Sequence, residues 1–215
     1  MIVAIDGPAG AGKSTVARAV ADALGFRYLD TGALYRAVTV AAHRREIDPA
    51  DVAPLARLAA ETDMNEDGSR LTVAGQDVTD ALRDPAASAA VSVVAAHPQV
   101  RAALIPIQKQ WARSGDVVVE GRDIGTTVFP GAQVKLFLTA DANERAKRRA
   151  AQLGSNDPAE IDRIAQSISE RDRVDSSRST SPLTRADDAV LIDTSDMPFD
   201  EVVGRIVEIV REASP

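Results

Sequence analysis

The chain of 215 residues contains no cysteine, which excludes a disulfide framework, a thiolate nucleophile and a cysteine zinc site. Histidine is almost as scarce: His43 and His97 are the only two, and they offer no metal-ligand spacing. Aromatic residues make up 3% of the chain, so its core must be aliphatic. No apolar run approaches the ~18 residues of a membrane-spanning helix. Met1 leads straight into a strand pattern rather than into a basic region followed by a long apolar one. The expectation is a cytoplasmic protein without a membrane partner. Positive charge is also in deficit, with 25 Lys and Arg against 32 Asp and Glu and a net charge of −7. General nucleic-acid binding needs a basic field, so that class is set aside. Among the cations only Lys13, Lys109, Lys135 and Lys147 are lysines. Codon bias explains an arginine excess; so does a need for planar guanidinium forks that match phosphate. Position has to decide between them.

What the chain does have is a 45% apolar content at a length that suits one large domain, or one core carrying small subdomains. Ile2–Ile5 reads as a strand. Ala17, Val20, Ala21 and Leu24 then recur at the spacing of a buried helical stripe, stopped by Gly25. A short strand over Phe26–Leu29 precedes helices at about 33–45 and 51–62. From about 63 to 84 the texture changes: Gly68 and Gly75 flank the alternation Leu71-Thr72-Val73, which reads as a small antiparallel insert. Helices follow at about 85–96 and 98–114. Val117–Val119 and Val134–Leu138 read as strands buried on both faces. The stretch 141–178 is helical and highly charged, broken at 153–158. Val190–Ile192 is a last strand, and Val203, Ile206, Val207 and Val210 stripe a closing helix. Five strands alternating with helices predict an α/β fold, a three-layer arrangement around a parallel sheet. In such folds ligands gather past the carboxyl ends of the strands.

One of those strand ends carries the strongest signal. Gly7-Pro8-Ala9-Gly10-Ala11-Gly12-Lys13-Ser14, followed by Thr15, matches the phosphate-binding loop pattern, with a strand before it and a helix after it. Backbone N–H groups and the helix N-terminus would cradle the phosphates. Lys13, facing solvent until a nucleotide arrives, would reach the terminal phosphates, and Ser14 would ligate Mg2+. The loop does not say what becomes of the phosphate. A GTPase switch needs Asn-Lys-x-Asp, and none of the three asparagines, Asn65, Asn143 and Asn156, precedes a lysine. An ATPase motor would end an apolar strand in an acid, which Val117–Val119 followed by Glu120 could imitate. What comes next, Gly121-Arg122-Asp123, looks built to bind something. Tyr35-Arg36 lies one helical turn after Asp30-Thr31-Gly32, and Arg171, Asp175 and Arg178 share one helix face. Phosphoryl transfer needs positioning and charge neutralisation more than a base, so an arginine-rich site suits a second anionic substrate.

These stretches resemble the bacterial cytidylate kinases, short nucleoside monophosphate kinases that phosphorylate CMP and dCMP. The likeness runs through "IDGPAGAGKST" (5–15), "LDTGALYRA" (29–37), "AHPQVR" (96–101), "EGRDIGTTVFP" (120–130), "ERAKRR" (144–149), "ERDRVDSSR" (170–178) and "PLTRADDAVLIDTS" up to 195. The resemblance implies a P-loop kinase fold with a core over 1–30, 115–145 and 178–215. It further implies a monophosphate-binding subdomain over about 31–114, with the insert at about 63–84, and a helical lid over about 146–177. It implies ATP as donor with Mg2+, CMP or dCMP as acceptor, and a monomer. It places Arg36, Arg122 and Arg178 on the CMP phosphate, and Ser92, Arg101 and Asp123 on the cytosine edge. Tyr35, Arg171 and Asp175 would surround the ribose and its phosphate, with Thr31 where the family often has serine. Arg145 and Arg149 resemble the residues that cover the donor from the lid, and Val174 stands where some members carry arginine. A shikimate-type kinase shares the cradle and the lid but needs neither an acid at Asp123 to meet a base nor the insert at 63–84, and a non-catalytic nucleotide-binding protein would bind nucleotide without turnover.

Overall fold

The computed structural model describes residues 1–65, 70–83 and 85–214; residues 66–69 and 84 of the expected insert lie outside them. The chain forms two compact units, Met1–Tyr28 with Gly115–Pro215, and Leu29–Ser114.

The first unit is built on a five-stranded sheet. Its strands are β1 (Ile2–Asp6), β2 (Arg27–Asp30, where the first unit ends at Tyr28), β6 (Val117–Glu120), β7 (Val134–Thr139) and β8 (Val190–Asp193), in the order β2-β6-β1-β7-β8. β1 pairs in parallel with β6 (Ile5↔Glu120) and β7 (Ile5↔Leu136), and β7 with β8 (Leu138↔Ile192). The central strands run Val3-Ala4-Ile5 and Val117-Val118-Val119, all fully buried, as strands covered on both faces must be. β7 alternates instead, because Lys135 and Phe137 are only half-buried. Helix α1 (Lys13–Leu24) turns Val16, Ala17 and Val20 toward the sheet, and Gly25 closes it in the left-handed conformation (φ 69°). Helix α8 (Phe199–Glu212) packs beside α1; its buried stripe is Val202, Ile206, Val207 and Val210, with Val203 at the margin. Each fully buried Val or Ile in this layer contributes about 1.5–3 kcal/mol relative to exposure. Helices α6 (Ala142–Gln152) and α7 (Pro158–Ser176) form an antiparallel pair started by Asp141 and Asp157, whose carboxylates accept from Asn143 N and Ala159 N.

A turn over Ile124–Val128 was not expected from the β-branched run Ile-Gly-Thr-Thr-Val. Thr127 and Val128 donate back to Asp123 O at 2.9 and 3.1 Å, a tertiary outcome that overrides strand propensity.

The second unit packs α2 (Thr31–Arg44), α3 (Val52–Ala60), α4 (Pro85–Ala96) and α5 (Pro98–Trp111) around Leu34, Leu55, Leu58, Val94, Val100 and Leu104. Helix α5 stops at Trp111, short of residue 114. A three-stranded antiparallel sheet of β3 (Thr62–Met64), β4 (Leu71–Val73) and β5 (Gln76–Asp77) adds Leu71 and Val73 to that core.

Candidate active site

In the first unit the loop between β1 and α1 is shaped by backbone that only glycine tolerates. At Gly7 (φ 150°) a Cβ would lie 2.0 Å from Leu138 O, so the chain leaves β1 in direct contact with β7. Gly12 (φ 82°) starts α1 in the left-handed region. The loop leads directly into the N-terminus of α1, where an anion is favoured. Ser14 and Thr15 open α1 as exposed residues, beside a groove of about 320 Å³ lined also by Arg18, Ala19, Asp22 and Phe199.

Lys13 does not face solvent, contrary to expectation. It is buried, and its Nζ donates to Pro8 O at 2.7 Å. Burial pushes its pKa down to about 7, and Arg122 and Arg171 push the same way against Glu120 and Asp6. The structure thus gathers Lys13, Arg122 and Arg171 into one cationic cluster from three distant stretches of chain. Asp175, fully buried, organises the rest: Arg122 Nε donates to its Oδ2 at 3.0 Å and Arg178 Nη2 to its Oδ1. Only Arg171 and Asp175 lie on helix α7, which ends at Ser176; Arg178, expected on the same helix face, stands past its C-cap, and the Asp175 carboxylate bridges two guanidinium groups. Asp123 is buried at the end of β6, one residue past Arg122.

Arg145 is seated on the loop. Its Nη1 donates to Ala9 O at 2.8 Å and to Asp172 Oδ2, and its Nε to Ala140 O at 3.1 Å. Asp172 also accepts from Ala9 N at 2.8 Å. Arg149, by contrast, is exposed and reaches Gln152 Oε1 at 3.3 Å; the structure does not bring it to the loop.

In the second unit Asp30 caps α2 through Ala33 N (3.1 Å) and holds Arg36 Nη2 at 2.6 Å. A Cβ at Gly32 would sit 3.0 Å from Arg36 Nη1, so the missing side chain lets the guanidinium fold over the turn. The Arg101 guanidinium, buried, lies 5.5 Å from the centre of the Tyr35 ring. Thr31 and Ser92 are buried polar residues of α2 and α4.

Sequence reasoning missed three residues. Glu120 is buried and accepts from Tyr28 Oη at 3.0 Å; it had been weighed only as a strand-end acid. Asp172 stands next to Arg171, but nothing local indicates that it meets Ala9. Asp6 is buried, accepts from Ile124 N and Gly125 N, both at 2.8 Å, and is pushed up to about 6 by burial. An acid closing an apolar strand immediately before a phosphate loop was the available signal. No cluster of three or more His, Cys, Asp or Glu able to hold a metal occurs among the described residues.

A family model described as "Cytidylate kinase" matches residues 3–212. The chain is 50% identical over 211 residues to the cytidylate kinase of Pelotomaculum thermopropionicum, covering 95% of this chain and 93% of that one. It is 46% identical over 216 residues to the cytidylate kinase of Mycobacterium leprae, covering 100% and 97%. Among solved structures, one from Thermus thermophilus aligns with a TM-score of 0.50 at 22% identity over 100% and 98% of the two chains. An uncharacterised protein from Eubacterium ventriosum aligns with a TM-score of 0.54 at 12% identity over 99% and 98%. These two are likenesses of fold alone.

Proposed function

The chain belongs to the cytidylate kinase family, and from that premise we propose how its residues carry out transfer of a phosphoryl group from ATP to CMP or dCMP. The carrying observation is the cluster of Lys13, Arg122 and Arg171, whose mutual repulsion helps to depress Lys13. Acidic groups already stand beside this cluster, Asp175 on Arg122 and Glu120 and Asp6 near Lys13, and two nucleotides add several phosphate charges to it. The donor's phosphates lie in the loop Gly7–Thr15 against the α1 N-terminus, with Lys13 on the terminal phosphate. The donor base takes the groove beside Thr15 and Phe199. Arg122 and Arg178, bridged by Asp175, serve the acceptor phosphate, and the family resemblance assigns Arg36 to it as well. Tyr35, Arg171 and Thr31 serve the ribose and its phosphate, and Ser92 and Arg101 serve the base.

The acceptor phosphate oxygen bonds to the γ-phosphorus as the bond to the bridging oxygen breaks, leaving ADP. Charge on the transferring group is met by cations already in place, which is where such sites gain rate. Ser14, exposed at the head of the loop helix, would hold Mg2+ as a partner of the phosphates; no cluster of three or more acidic or histidine ligands occurs among the described residues, so phosphate and water would supply its other ligands. When bound it supplies neutralisation of phosphate charge. Arg145 covers the donor from the α6–α7 pair, which serves as the lid over about 146–177, and Arg149 joins it only once that pair moves. The core over 1–30, 115–145 and 178–215 and the acceptor subdomain over 31–114 complete the division of labour. The enzyme works as a cytoplasmic monomer on diffusing nucleotides.

Asp123 identifies the base. A carboxylate accepts from the exocyclic amine of cytosine and repels the carbonyl of uracil. Asp123→Asn, whose amide can donate, lowers kcat/KM for CMP and spares or raises that for UMP. The unsatisfied acceptor pair that UMP meets in the wild type is worth roughly a 5- to 150-fold preference. A parallel decline for both substrates contradicts base reading by Asp123.

A further inference from the structure

We propose that Asp6 is a positioning residue for cytosine selection: its carboxylate caps the turn that follows Asp123 and thereby holds Asp123 in its base-reading place. This rests on the reading of Asp123 given above.

A helical turn begins with N–H groups that have no carbonyl before them. In the turn Ile124–Val128 those donors are Ile124 N and Gly125 N. The residue at the cap position ordinarily satisfies one of them with its own side chain. Asp123 occupies that position, with φ −147° and ψ 29°, and its side chain makes no capping hydrogen bond. The cap arrives from another strand: Asp6 Oδ1 accepts from Ile124 N and Oδ2 from Gly125 N, each at 2.8 Å. The geometry is rigid at both ends. Asp6 closes β1, and β6 is locked alongside by the Ile5↔Glu120 register and by Gly121 N donating to Ile5 O at 3.0 Å. At Gly125 a Cβ would crowd Lys135 Cδ at 3.1 Å and only touch Asp6 Oδ2 at 3.4 Å, so the glycine adds room beside the cap without being what admits it.

A hydroxyl or an amide oxygen would cap one of these donors without burying a charge. A carboxylate takes both and tolerates the cost of burial, visible in the upward displacement of Asp6 to about 6. What both bonds achieve together is to fix the backbone on the far side of Asp123, while the strand fixes the near side. The capping role falls to Asp6 rather than to the Asp123 carboxylate. Asp6 is also the residue immediately before Gly7, so the segment that reads the acceptor and the loop that holds the donor are pinned to one side chain.

The test compares Asp6→Asn, Asp123→Asn and the double variant by kcat/KM for CMP and UMP and by KM for ATP. In Asp6→Asn the amide oxygen accepts one N–H and the NH2 faces the other. The expected result is a CMP:UMP ratio lowered at least about fivefold, the low end for one unsatisfied buried group. KM for ATP can change as well, because Asp6 stands beside Lys13 and before Gly7, so the deciding readout is the CMP:UMP ratio, in which donor effects cancel. The double variant loses no more discrimination than Asp123→Asn alone. A wild-type ratio in Asp6→Asn, with Asp123→Asn altered, overturns the proposal and leaves the reading of Asp123 standing. An unaltered ratio in Asp123→Asn overturns both. Should Asp6→Asn fail to fold, hydrogen exchange of the wild type decides: the Ile124 and Gly125 amides exchange slowly if Asp6 caps them, and exchange at the rate of an open loop contradicts the proposal.

Discussion

Lys13 is the residue on which transfer chemistry and folding chemistry pull in opposite directions. Burial and the nearby Arg122 and Arg171 hold its pKa at about 7, against an ordinary value of 10.5, with Glu120 and Asp6 opposing. At a pH one unit higher, about pH 8, most ligand-free molecules carry it neutral. Nucleotide phosphates favour the charged form, so binding takes up a proton, and affinity falls as pH rises through the window above 7. Titration calorimetry of an ATP analogue in buffers of different ionisation enthalpy should find uptake approaching one proton in the wild type and none in Lys13→Met. Equal uptake in both would assign the proton elsewhere. Asp175 makes a second case at this scale. As the carboxylate shared by Arg122 and Arg178, it does not need to touch the transferring group to matter. Asp175→Asn should lower kcat/KM for CMP about 10²-fold, the cost of a small misplacement of reacting groups, with little change in ATP affinity. Loss of ATP affinity to the same degree would place Asp175 in the donor site instead.

Among the elements, the α6–α7 pair is the one whose proposed role depends on motion. Asp172 links it to the loop through Ala9 N and Arg145, and Ala146 and Ile168 pack on Ala9. The connection Gly154–Pro158 has few apolar anchors, and Leu153 beside it is exposed. Limited proteolysis should show this connection protected by CMP with an ATP analogue more than by either alone; identical cleavage in all states would remove the lid assignment. Asp172 also shows what the sequence leaves unread. The strands, their alternation with helices and the phosphate loop are local patterns: an apolar run, a 3.6-residue stripe, glycines at fixed spacing. The cap that Asp6 supplies spans 118 residues, and the Ala9–Asp172 contact 163. No period encodes such pairings. The turn Ile124–Val128 escaped for the same reason, since its own residues favour extended backbone and a distant carboxylate overrules them. Burial of Lys13 was hidden because a lysine in a phosphate loop reads as exposed until the surrounding strands are in place.

For the molecule as a whole, the arginine excess resolves into two populations. Arg122, Arg145 and Arg178 have side chains 18%, 11% and 4% exposed and cluster around the loop, whereas Arg70 and Arg173 are 63% and 69% exposed in surface pairs. A cationic centre beside the phosphate loop, in a chain of net charge −7, leaves the rest of the surface poor in nonspecific sites for polyanions. No single helix among the described residues is long and apolar enough to cross a membrane. Family membership covers nearly the full length. The direct measurement is ADP release coupled to each of CMP, dCMP, UMP, AMP, GMP and shikimate, compared as kcat/KM. CMP and dCMP should lead, with UMP lower by roughly 5- to 150-fold and the purine nucleotides and shikimate near background. ADP release that is indifferent to the acceptor, or fastest with AMP or shikimate, would contradict the account.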